Sequence, residues 1–315
     1  MSFLKLTANA VAVLTQLGLV VLAVAGLSGI GHRWVDILAQ FTTPALTAAV
    51  VGLILCLLLR LWPAAIAGGA SCLLLIVAVW PQWFAGQSHP LPDAPVVTVY
   101  SANLWARNTD VEAMKRSIAA ADADILVLIE LGKAPNARLD ELLAGYPHRQ
   151  VTRMVDRPSG AARSVIASRY PLVDGIDGRP GLHSVGAVID SPLGRLSIVG
   201  VHLTRPWPFQ YQWGQITQAM AIAEIRADLI GPVIVAGDFN SVSSARIGRQ
   251  MKAETGLIPA PAFAGTWPSA LPAVFGMTID QVYRSPDLAL TQRRLGRRNG
   301  SDHRPVITTF TRAAD

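Results

Sequence analysis

Polar residues of a few chemical kinds stand at the ends of apolar runs along this sequence. The clearest case is Gly237-Asp238-Phe239-Asn240, which directly follows an apolar run at 232–236. Other run ends carry further residues of the same kinds: Asn103, Glu130, His202, Asp280, Asp302 and His303. Ligands of open α/β sheets bind just beyond the strand ends. The set therefore indicates a site that holds a hard divalent cation and cleaves a phosphate ester.

The acidic and amide residues suit the first requirements of that chemistry. A phosphodiester resists hydrolysis because its negative charge repels nucleophiles, so a site must neutralise that charge and activate a water. Glu130 is the natural ligand for Mg²⁺, with Asn103 beside it. Asp238 could orient or deprotonate the attacking water, and Asn240 carries an amide donor for a phosphate oxygen.

Two histidines could supply the remaining protons. Either His202 or His303 could donate to a phosphoryl oxygen or to the leaving group. A carboxylate fixes the tautomer of a catalytic imidazole, and either Asp280 or Asp302 could do this for His303. We therefore expect these side chains to share one site.

Taken together and in order, these motifs resemble the endonuclease/exonuclease/phosphatase superfamily. That family includes DNase I-like nucleases, AP endonucleases, inositol polyphosphate 5-phosphatases and bacterial sphingomyelinases. The matching motifs are Asn103, Glu130, His202, Gly237-Asp238-Phe239-Asn240, Asp280 and Ser301-Asp302-His303. The resemblance covers residues 96–312 and implies a DNase I-like, four-layer α/β sandwich.

The resemblance also implies a role for each acidic and amide residue. It puts Glu130 and Asn103 at a metal, with Mg²⁺ expected and Mn²⁺ as a substitute. It puts Asp238 and Asn240 at the nucleophile and the phosphate. In a second class of metallophosphatase the series of motifs also begins with a Gly-Asp motif. The Gly-Asn-His motif that follows it in that class does not occur in this sequence.

The resemblance also implies different roles for the two histidines. It implies that His303 stabilises the phosphoryl group, that Asp280 orients His303, and that Asp302 lies near the metal or that histidine. His202 matches the general acid of DNase-like and sphingomyelinase-like members. AP endonucleases use a tyrosine instead, so His202 argues against abasic-site repair.

The pattern after residue 95 predicts many short strands and a few helices. Strands are expected at 96–101, 124–130, 164–168, 184–190, 195–203, 233–236, 278–283 and 305–311. Helices are expected at 110–121, 136–143 and 211–229. Such a mixture favours two packed sheets with helices outside them.

The first part of the chain is almost wholly apolar. Its charged residues up to Phe84 are Lys5, Arg33, Asp36 and Arg60. Three stretches are long enough to cross a bilayer, which takes about 20 residues: Leu6–Ile30, Phe41–Leu61 and Trp62–Phe84. A cleaved signal peptide or a buried soluble bundle fits less well, because the first run is long and charge is scarce. We therefore expect a membrane anchor at 1–84, a stiff proline-rich linker at 85–95 and a catalytic domain at 96–312.

Few charges decide the orientation of this anchor. Lys5 precedes the first span and Arg60 separates the second from the third, whereas Arg33 is offset by Asp36. The positive-inside rule then puts the N-terminus and Arg60 in the cytoplasm. With three spans, the catalytic domain of this multi-pass inner-membrane protein would be periplasmic.

The substrate remains open between a nucleic acid and a phospholipid headgroup. Four aromatics follow His202, at Trp207, Phe209, Tyr211 and Trp213. They could rest on the bilayer, stack nucleobases or cap the next helix. The net charge of +6 suits a polyanion or an anionic lipid surface, and basic residues cluster at Arg293, Arg294, Arg297, Arg298 and Arg304.

The alternative to an enzyme is an inactive membrane scaffold, although no motif residue is lost. No obligate protein partner is indicated.

Overall fold

The computed structural model describes residues 3–156, 160–205 and 211–314. Its N-terminal part is helical, with helices α1 (Phe3–Ser28), α2 (Arg33–Ala39), α3 (Thr42–Leu58) and α4 (Trp62–Trp83). The strands that follow are β1 (Val97–Asn103), β2 (Ile125–Gly132), β3 (His148–Val151), β4 (Ala162–Ser168), β5 (Leu172–Gly175), β6 (His183–Ser191), β7 (Gly194–His202), β8 (Val233–Asp238), β9 (Ile258–Pro259), β10 (Asp280–Arg284), β11 (Leu288–Leu295) and β12 (Val306–Arg312). The helices among them are α5 (Val111–Ala121), α6 (Lys133–Ala137), α7 (Leu139–Leu142), α8 (Trp213–Asp228) and α9 (Arg246–Thr255).

Within the described ranges, the strands form two six-stranded sheets, in the orders β11-β12-β1-β2-β4-β3 and β5-β6-β7-β8-β10-β9. Their inner faces share one apolar core, to which Val127, Ile198 and Phe310 belong. Helix α5 covers the outer face of the first sheet through a second core, and α8 and α9 cover the second sheet through a third. The expected four-layer sandwich is confirmed.

Strand β1 explains why the central strands read as continuous apolar runs. Val97 and Val99 point into the core between the sheets, while Tyr100 and Ala102 point towards α5. Because both faces are covered, apolar residues occupy successive positions. Polar residues are then tolerated only where the strand leaves the core, as at Asn103.

The strand directions bring the motif-bearing ends to one edge of the molecule. β1 runs parallel to β2, and β7 runs parallel to β8 with His202 opposite Asp238. β12 and β10 run antiparallel to β1 and β8. The C-terminal ends of the two parallel pairs, β1 with β2 and β7 with β8, therefore lie at the same edge as the N-terminal ends of β10 and β12.

The apolar N-terminal region is helical, as expected. Among the described residues, α1 and α4 are each long and apolar enough to cross a membrane. The second expected span is interrupted, because α2 and α3 are bent by 58° relative to each other. The count reaches the expected three only if that bent pair is one span.

Residues 85–95 make hydrogen bonds with the sheet region. Arg284 Nη2 donates to the carbonyl of Gly86 at 3.0 Å, and Ser88 Oγ donates to that of Pro286 at 3.2 Å. The Leu91 N–H donates to the Arg312 carbonyl at 2.8 Å. Backbone and side-chain groups of this segment thus find partners on the sheet region, so the segment lies along its surface.

Other differences concern short or polar elements. The helix expected at 136–143 is two short helices, α6 and α7, which are separated at Arg138. Strands β3, β5, β9 and β11 and helix α9 were not predicted. Most of these elements lie at sheet edges or on the surface, where the apolar pattern is weak.

Candidate active site

The carboxylate of Asp238 is the meeting point of the predicted site. It ends β8 and is buried. Its Oδ2 accepts a hydrogen bond from Asn103 Nδ2 at 3.0 Å and lies 3.7 Å from His202 Nε2 and 3.8 Å from His303 Nε2. Its Oδ1 accepts from the Asn240 N–H at 2.8 Å. Residues from both sheets therefore converge on one carboxylate.

Glu130 and Asn103 lie on the neighbouring strands of the first sheet. Asn103 Oδ1 accepts from the Trp105 N–H at 2.9 Å, which turns the Asn103 Nδ2 towards the second sheet. Glu130 Oε2 accepts from the Ala106 N–H at 3.4 Å, and its Oε1 lies 3.6 Å from His202 Nδ1. The first sheet thus contributes an amide and a carboxylate on the same side of the site.

Unusual backbone geometry is concentrated here. Glu130, Asn240 and Trp105 have positive φ values of 54°, 47° and 58°. At Glu130 the register between β2 and β4 also shifts. Gly237 has φ 145°, and a Cβ there would lie 2.0 Å from the Val201 carbonyl oxygen. Strained conformations persist where function requires them, so this clustering supports a functional site.

His303 and Asp280 form a buried pair. Their Nδ1 and Oδ2 atoms are 2.9 Å apart. Burial alone lowers the pKa of His303, but the negative charges of Asp280 and Asp238 outweigh it and raise that pKa to about 10. The ring is therefore an imidazolium at neutral pH, with its Nε2 hydrogen towards the site. Of the two aspartates considered for this role, Asp280 makes the bond.

Asp302 has a different partner. Its Oδ2 accepts from Trp267 Nε1 at 3.1 Å, and its carbonyl accepts from the Ser269 N–H at 2.7 Å. Its charge still contributes to the raised pKa of His303. Asp302 thus lies near that histidine while being held by an indole. Nothing in the local sequence around Trp267 marks it as a neighbour of the site.

The Asn240 turn is held from several directions. Its Nδ2 donates to the Leu203 carbonyl at 2.9 Å and to Asp238 Oδ2 at 3.3 Å. Its own carbonyl accepts from Gln215 Nε2 at 3.1 Å and from Gln40 Nε2 at 3.0 Å. In this arrangement the amide expected to bind phosphate also positions Asp238. The two glutamines were not predicted, because each is distant in sequence from the motif.

The N-terminal helices also fasten the segment after Asn240. Asp36 Oδ1 accepts from the Arg246 N–H at 2.8 Å, at the start of α9, and its Oδ2 accepts from Gln212 Nε2. A carboxylate at a helix N-terminus satisfies free N–H groups and favours the helix dipole. Ala39 is buried in a cluster with Val242, Ala245, Met277 and Ile279. The helical region and the Asp238–Arg246 segment therefore form one packed unit.

Among the residues that the structure describes, two places could hold a cation. Asp238, Asp280 and His303 have ligand atoms within 4.8 Å of one another. However, the Nδ1 of His303 bonds Asp280, and the raised pKa keeps that ring positive. Glu130 and Asn103 instead offer hard oxygen donors, which Mg²⁺ prefers. The chemistry of the donors therefore favours cation binding at Glu130 and Asn103.

A sandwich of two six-stranded sheets, with His, Asp, Asn and Glu at one edge, defines the DNase I-like class of α/β proteins. The sequence profile described as "Endonuclease/Exonuclease/phosphatase family" matches residues 100–303, and the chain belongs to that family. No curated protein has a significant sequence match to the chain.

Solved structures share the fold. An endonuclease/exonuclease/phosphatase from Beutenbergia cavernae DSM 12333 has a TM-score of 0.58 at 21% identity, covering 70% of this chain and 72% of that chain. Sphingomyelinase C from Streptomyces griseocarneus has a TM-score of 0.50 at 19% identity, covering 68% of this chain and 99% of that chain. A humanized D. rerio TDP2 has a TM-score of 0.53 at 16% identity, covering 69% and 99%.

Proposed function

We propose that this protein is a membrane-anchored, divalent-metal-dependent phosphoesterase that hydrolyses a phosphodiester bond in a nucleic acid or a lipid headgroup. The observation that carries the proposal is the convergence of six side chains from two sheets on one edge: Asn103, Glu130, His202, Asp238, Asn240 and His303. Membership of a family of phosphoesterases supports it. An inactive scaffold would not need to keep a complete set of motif residues.

Glu130 and Asn103 would hold the metal, for which Mg²⁺ is the proposed ion and Mn²⁺ a substitute. Such a cation neutralises phosphate charge and polarises the phosphoryl group. Asp302, near His303, would adjust the local negative charge. The oxygen-only donor set argues against a zinc site of the cysteine type, since Cys56 and Cys72 lie in the apolar helices.

Asp238 would act on the attacking water. Burial raises the pKa of this carboxyl, while the positive charge of His303 opposes the rise. A base whose pKa is shifted towards the working pH takes up a proton more readily. Hydrogen bonds from Asn103 and Asn240 fix the carboxylate in place.

The two histidines would divide the remaining work. His303, kept protonated by Asp280, would donate its Nε2–H to a phosphoryl oxygen as negative charge develops there. His202 lies between Glu130 and Asp238 and would protonate the leaving oxygen. Water then supplies the new oxygen on phosphorus, its proton passes to Asp238, and the bond to the leaving oxygen breaks.

The contacts of the helices support a three-span, multi-pass arrangement. Asp36 and Gln40, between the first and second apolar stretches, contact the catalytic region, as does Gln82 at the end of α4. These ends therefore share one side, opposite Lys5 and Arg60. With Lys5 and Arg60 in the cytoplasm, the catalytic domain at 96–312 is periplasmic, after an anchor at 1–84 and a connecting segment at 85–95.

The proposal is tested with full-length protein purified in detergent. Hydrolysis of bis-p-nitrophenyl phosphate is measured with and without Mg²⁺, beside His303→Ala and the control His148→Ala on edge strand β3. Metal-dependent turnover that is lost only in His303→Ala supports the proposal. Equal turnover in all three proteins, or none in folded wild-type protein with this substrate, DNA, RNA or phospholipid, contradicts it.

A further inference from the structure

The loop 263–277, called the interfacial loop here, contacts the N-terminal helices at two points. The Phe263 ring packs edge-on against Trp83 of α4 with centroids 4.9 Å apart. Thr47 Oγ1 of α3 donates to the Val274 carbonyl at 2.5 Å. The loop therefore lies beside two of the apolar helices.

These contacts set the level of the loop relative to a bilayer. Helix α4 has 22 residues, hence about 33 Å of length, which matches about 30 Å of hydrocarbon. Trp83 is its last residue, which in the proposed three-span arrangement lies at the membrane boundary. Thr47 lies in the second turn of α3, about 7 Å along its axis. Surface-bound apolar elements penetrate a bilayer to about 5–10 Å, the same depth.

The loop exposes large apolar side chains at this level. Phe263 is 48% exposed, Leu271 45%, Val274 39% and Phe275 37%. All four side chains belong to the loop that lies beside the apolar helices. Exposed apolar groups of this kind mark a membrane or protein contact, and the adjoining apolar helices identify the bilayer as the occupant.

The base of the same loop is joined to the catalytic residues. Trp267 Nε1 donates to Asp302 Oδ2 at 3.1 Å. The Arg304 N–H donates to the Thr266 carbonyl at 2.9 Å, and the Asp280 N–H donates to Thr266 Oγ1 at 3.3 Å. One wall of the site and the apolar loop are thus a single structural piece.

Basic and aromatic residues gather at this end of the molecule. The Arg33 guanidinium lies 4.9 Å from the Tyr211 ring centroid, and that of Arg205 lies 5.2 Å from the Trp267 ring centroid. Aromatic rings favour the membrane interface, and arginines there attract anionic headgroups. Residues 206–210, whose aromatics were considered for this role, lie outside the described residues.

Two arginines of the cluster near His303, Arg293 and Arg304, are engaged in structure. Arg293 Nη1 donates to the Phe263 carbonyl, and Arg304 Nη2 donates to the Leu271 carbonyl at 2.7 Å. Both side chains hold the interfacial loop.

We propose that the substrate is a phosphodiester carried by a phospholipid, which reaches Asp238 past the interfacial loop without leaving the membrane surface. The inference rests on the proposed function and names its substrate class. The reaction is the same hydrolysis, with the lipid oxygen or the headgroup oxygen as the leaving atom, protonated by His202.

The test uses full-length protein reconstituted in vesicles of phosphatidylcholine with phosphatidylglycerol. Hydrolysis of the vesicle lipid is compared with that of soluble glycerophosphoglycerol, bis-p-nitrophenyl phosphate and DNA. The variants are Leu271→Ser/Phe275→Ser and the control Ile230→Ser, which is 94% exposed and precedes β8 at the opposite end of the sheet. Removing two apolar contacts with the bilayer is expected to lower the rate of lipid hydrolysis at least about tenfold.

The expected result is preferential lipid hydrolysis that falls at least about tenfold in the double variant alone, with turnover of bis-p-nitrophenyl phosphate unchanged. Preference for DNA or for soluble glycerophosphoglycerol overturns the lipid assignment but leaves the phosphoesterase intact. An equal loss on every substrate also overturns it. Absence of turnover on all substrates instead rejects the proposed function.

A second measurement reports on the loop without activity. Phe275→Cys and Ile230→Cys, each made with Cys56→Ala/Cys72→Ala, carry an environment-sensitive fluorophore. A blue-shifted emission at position 275 in vesicles, with an emission typical of water at 230, supports insertion of the loop. Emission typical of water at both positions contradicts it.

Discussion

The two sheets of the catalytic region have the same plan but different chemistry. Each has a parallel pair inside, β1 with β2 and β8 with β7, flanked by antiparallel strands. Contacts across the site join equivalent positions of the two sheets: Asn103 with Asp238 at 3.0 Å, Glu130 with His202 at 3.6 Å and His303 with Asp280 at 2.9 Å. Each pair unites a residue from one sheet with its counterpart from the other.

The difference between the sheets lies in the end of the second parallel strand. In the second sheet the register of β7 against its antiparallel neighbour β6 continues unbroken to His202. In the first sheet β2 shifts register against β4, and Glu130 adopts φ 54°. A bulge re-aims a side chain, so the same frame gives a proposed metal side in one sheet and a water-activating side in the other.

The largest effect is expected when the carboxylate of the Asn103–Asp238 pair is replaced by an amide. Asp238→Asn leaves two amides facing each other and should lower kcat about 10³-fold, because no base remains for the water. Steady-state kinetics on a soluble diester measure this. The exchanged protein Asn103→Asp/Asp238→Asn should stay at least about 10²-fold below wild type, and full recovery would mean that the sheets are interchangeable.

A smaller loss is expected at the second pair. Glu130→Gln keeps the size of the side chain but removes its charge, so Mg²⁺ should bind more weakly and activity fall about 10²-fold. Isothermal titration with Mg²⁺ and kinetics across metal concentrations separate the two effects. Glu141→Gln, an exposed acid on α7, is the control. Unchanged metal affinity in Glu130→Gln would remove this residue from the metal side.

The third pair is expected to control pH dependence. His303 has its pKa raised from 6.5 to about 10 by nearby carboxylates, so the protonated ring stabilises the fold below pH about 6.5. That contribution is lost as the pH rises through about 10. Asp280→Asn should lower this pKa, move the alkaline limb of the rate profile to lower pH and weaken the alkaline loss of stability.

Rate profiles and denaturant unfolding at several pH values measure both consequences of Asp280→Asn. Activity at neutral pH should fall about 10²-fold. The variant Asp302→Asn leaves the Asp280 bond in place and should shift the alkaline limb less. An equal shift in the two variants would contradict the assignment of Asp280 as the orienting residue.

The smallest effect is expected outside both sheets. Gln40→Ala removes one of two glutamine hydrogen bonds to the Asn240 carbonyl, while Gln215 remains. One such bond is worth about 1 kcal/mol, so kcat should fall no more than about fivefold. Gln87→Ala, an exposed residue of the connecting segment, is the control. A loss above about 10²-fold would mean that Gln40 contributes to the chemistry itself.

Much of the sandwich could be predicted because its central strands are covered on both faces. Val97–Asn103 and Val233–Asp238 read as apolar runs that end in polar residues, so both strand and site were visible locally. The edge strand β11 was not, since residues such as Thr291 and Gln292 are exposed. Helix α9 offers only a narrow apolar face, at Ile247 and Met251.

The parts of the site that escaped prediction are those that depend on distant contacts. Gln40 and Asn240 are 200 residues apart, and Trp267 reaches Asp302 across 35 residues. Neither contact leaves a local pattern in the sequence. Likewise, nothing at Glu130 itself predicts a positive φ, because that conformation follows from the pairing of β2 with β4.

The hydrogen bond that Asp36 accepts from the Arg246 N–H has a consequence for the synthesis of the protein. The N-cap residue of α9 is Ala245, which lacks a side-chain acceptor, so a residue synthesised 210 positions earlier serves instead. A shortened protein that begins at residue 85 would lack that carboxylate and would uncover Val242, Ala245, Met277 and Ile279. Expressed without its N-terminal helices, it should fray at α9, bind hydrophobic dyes and aggregate, whereas in the intact protein translation delivers the stabilising segment first.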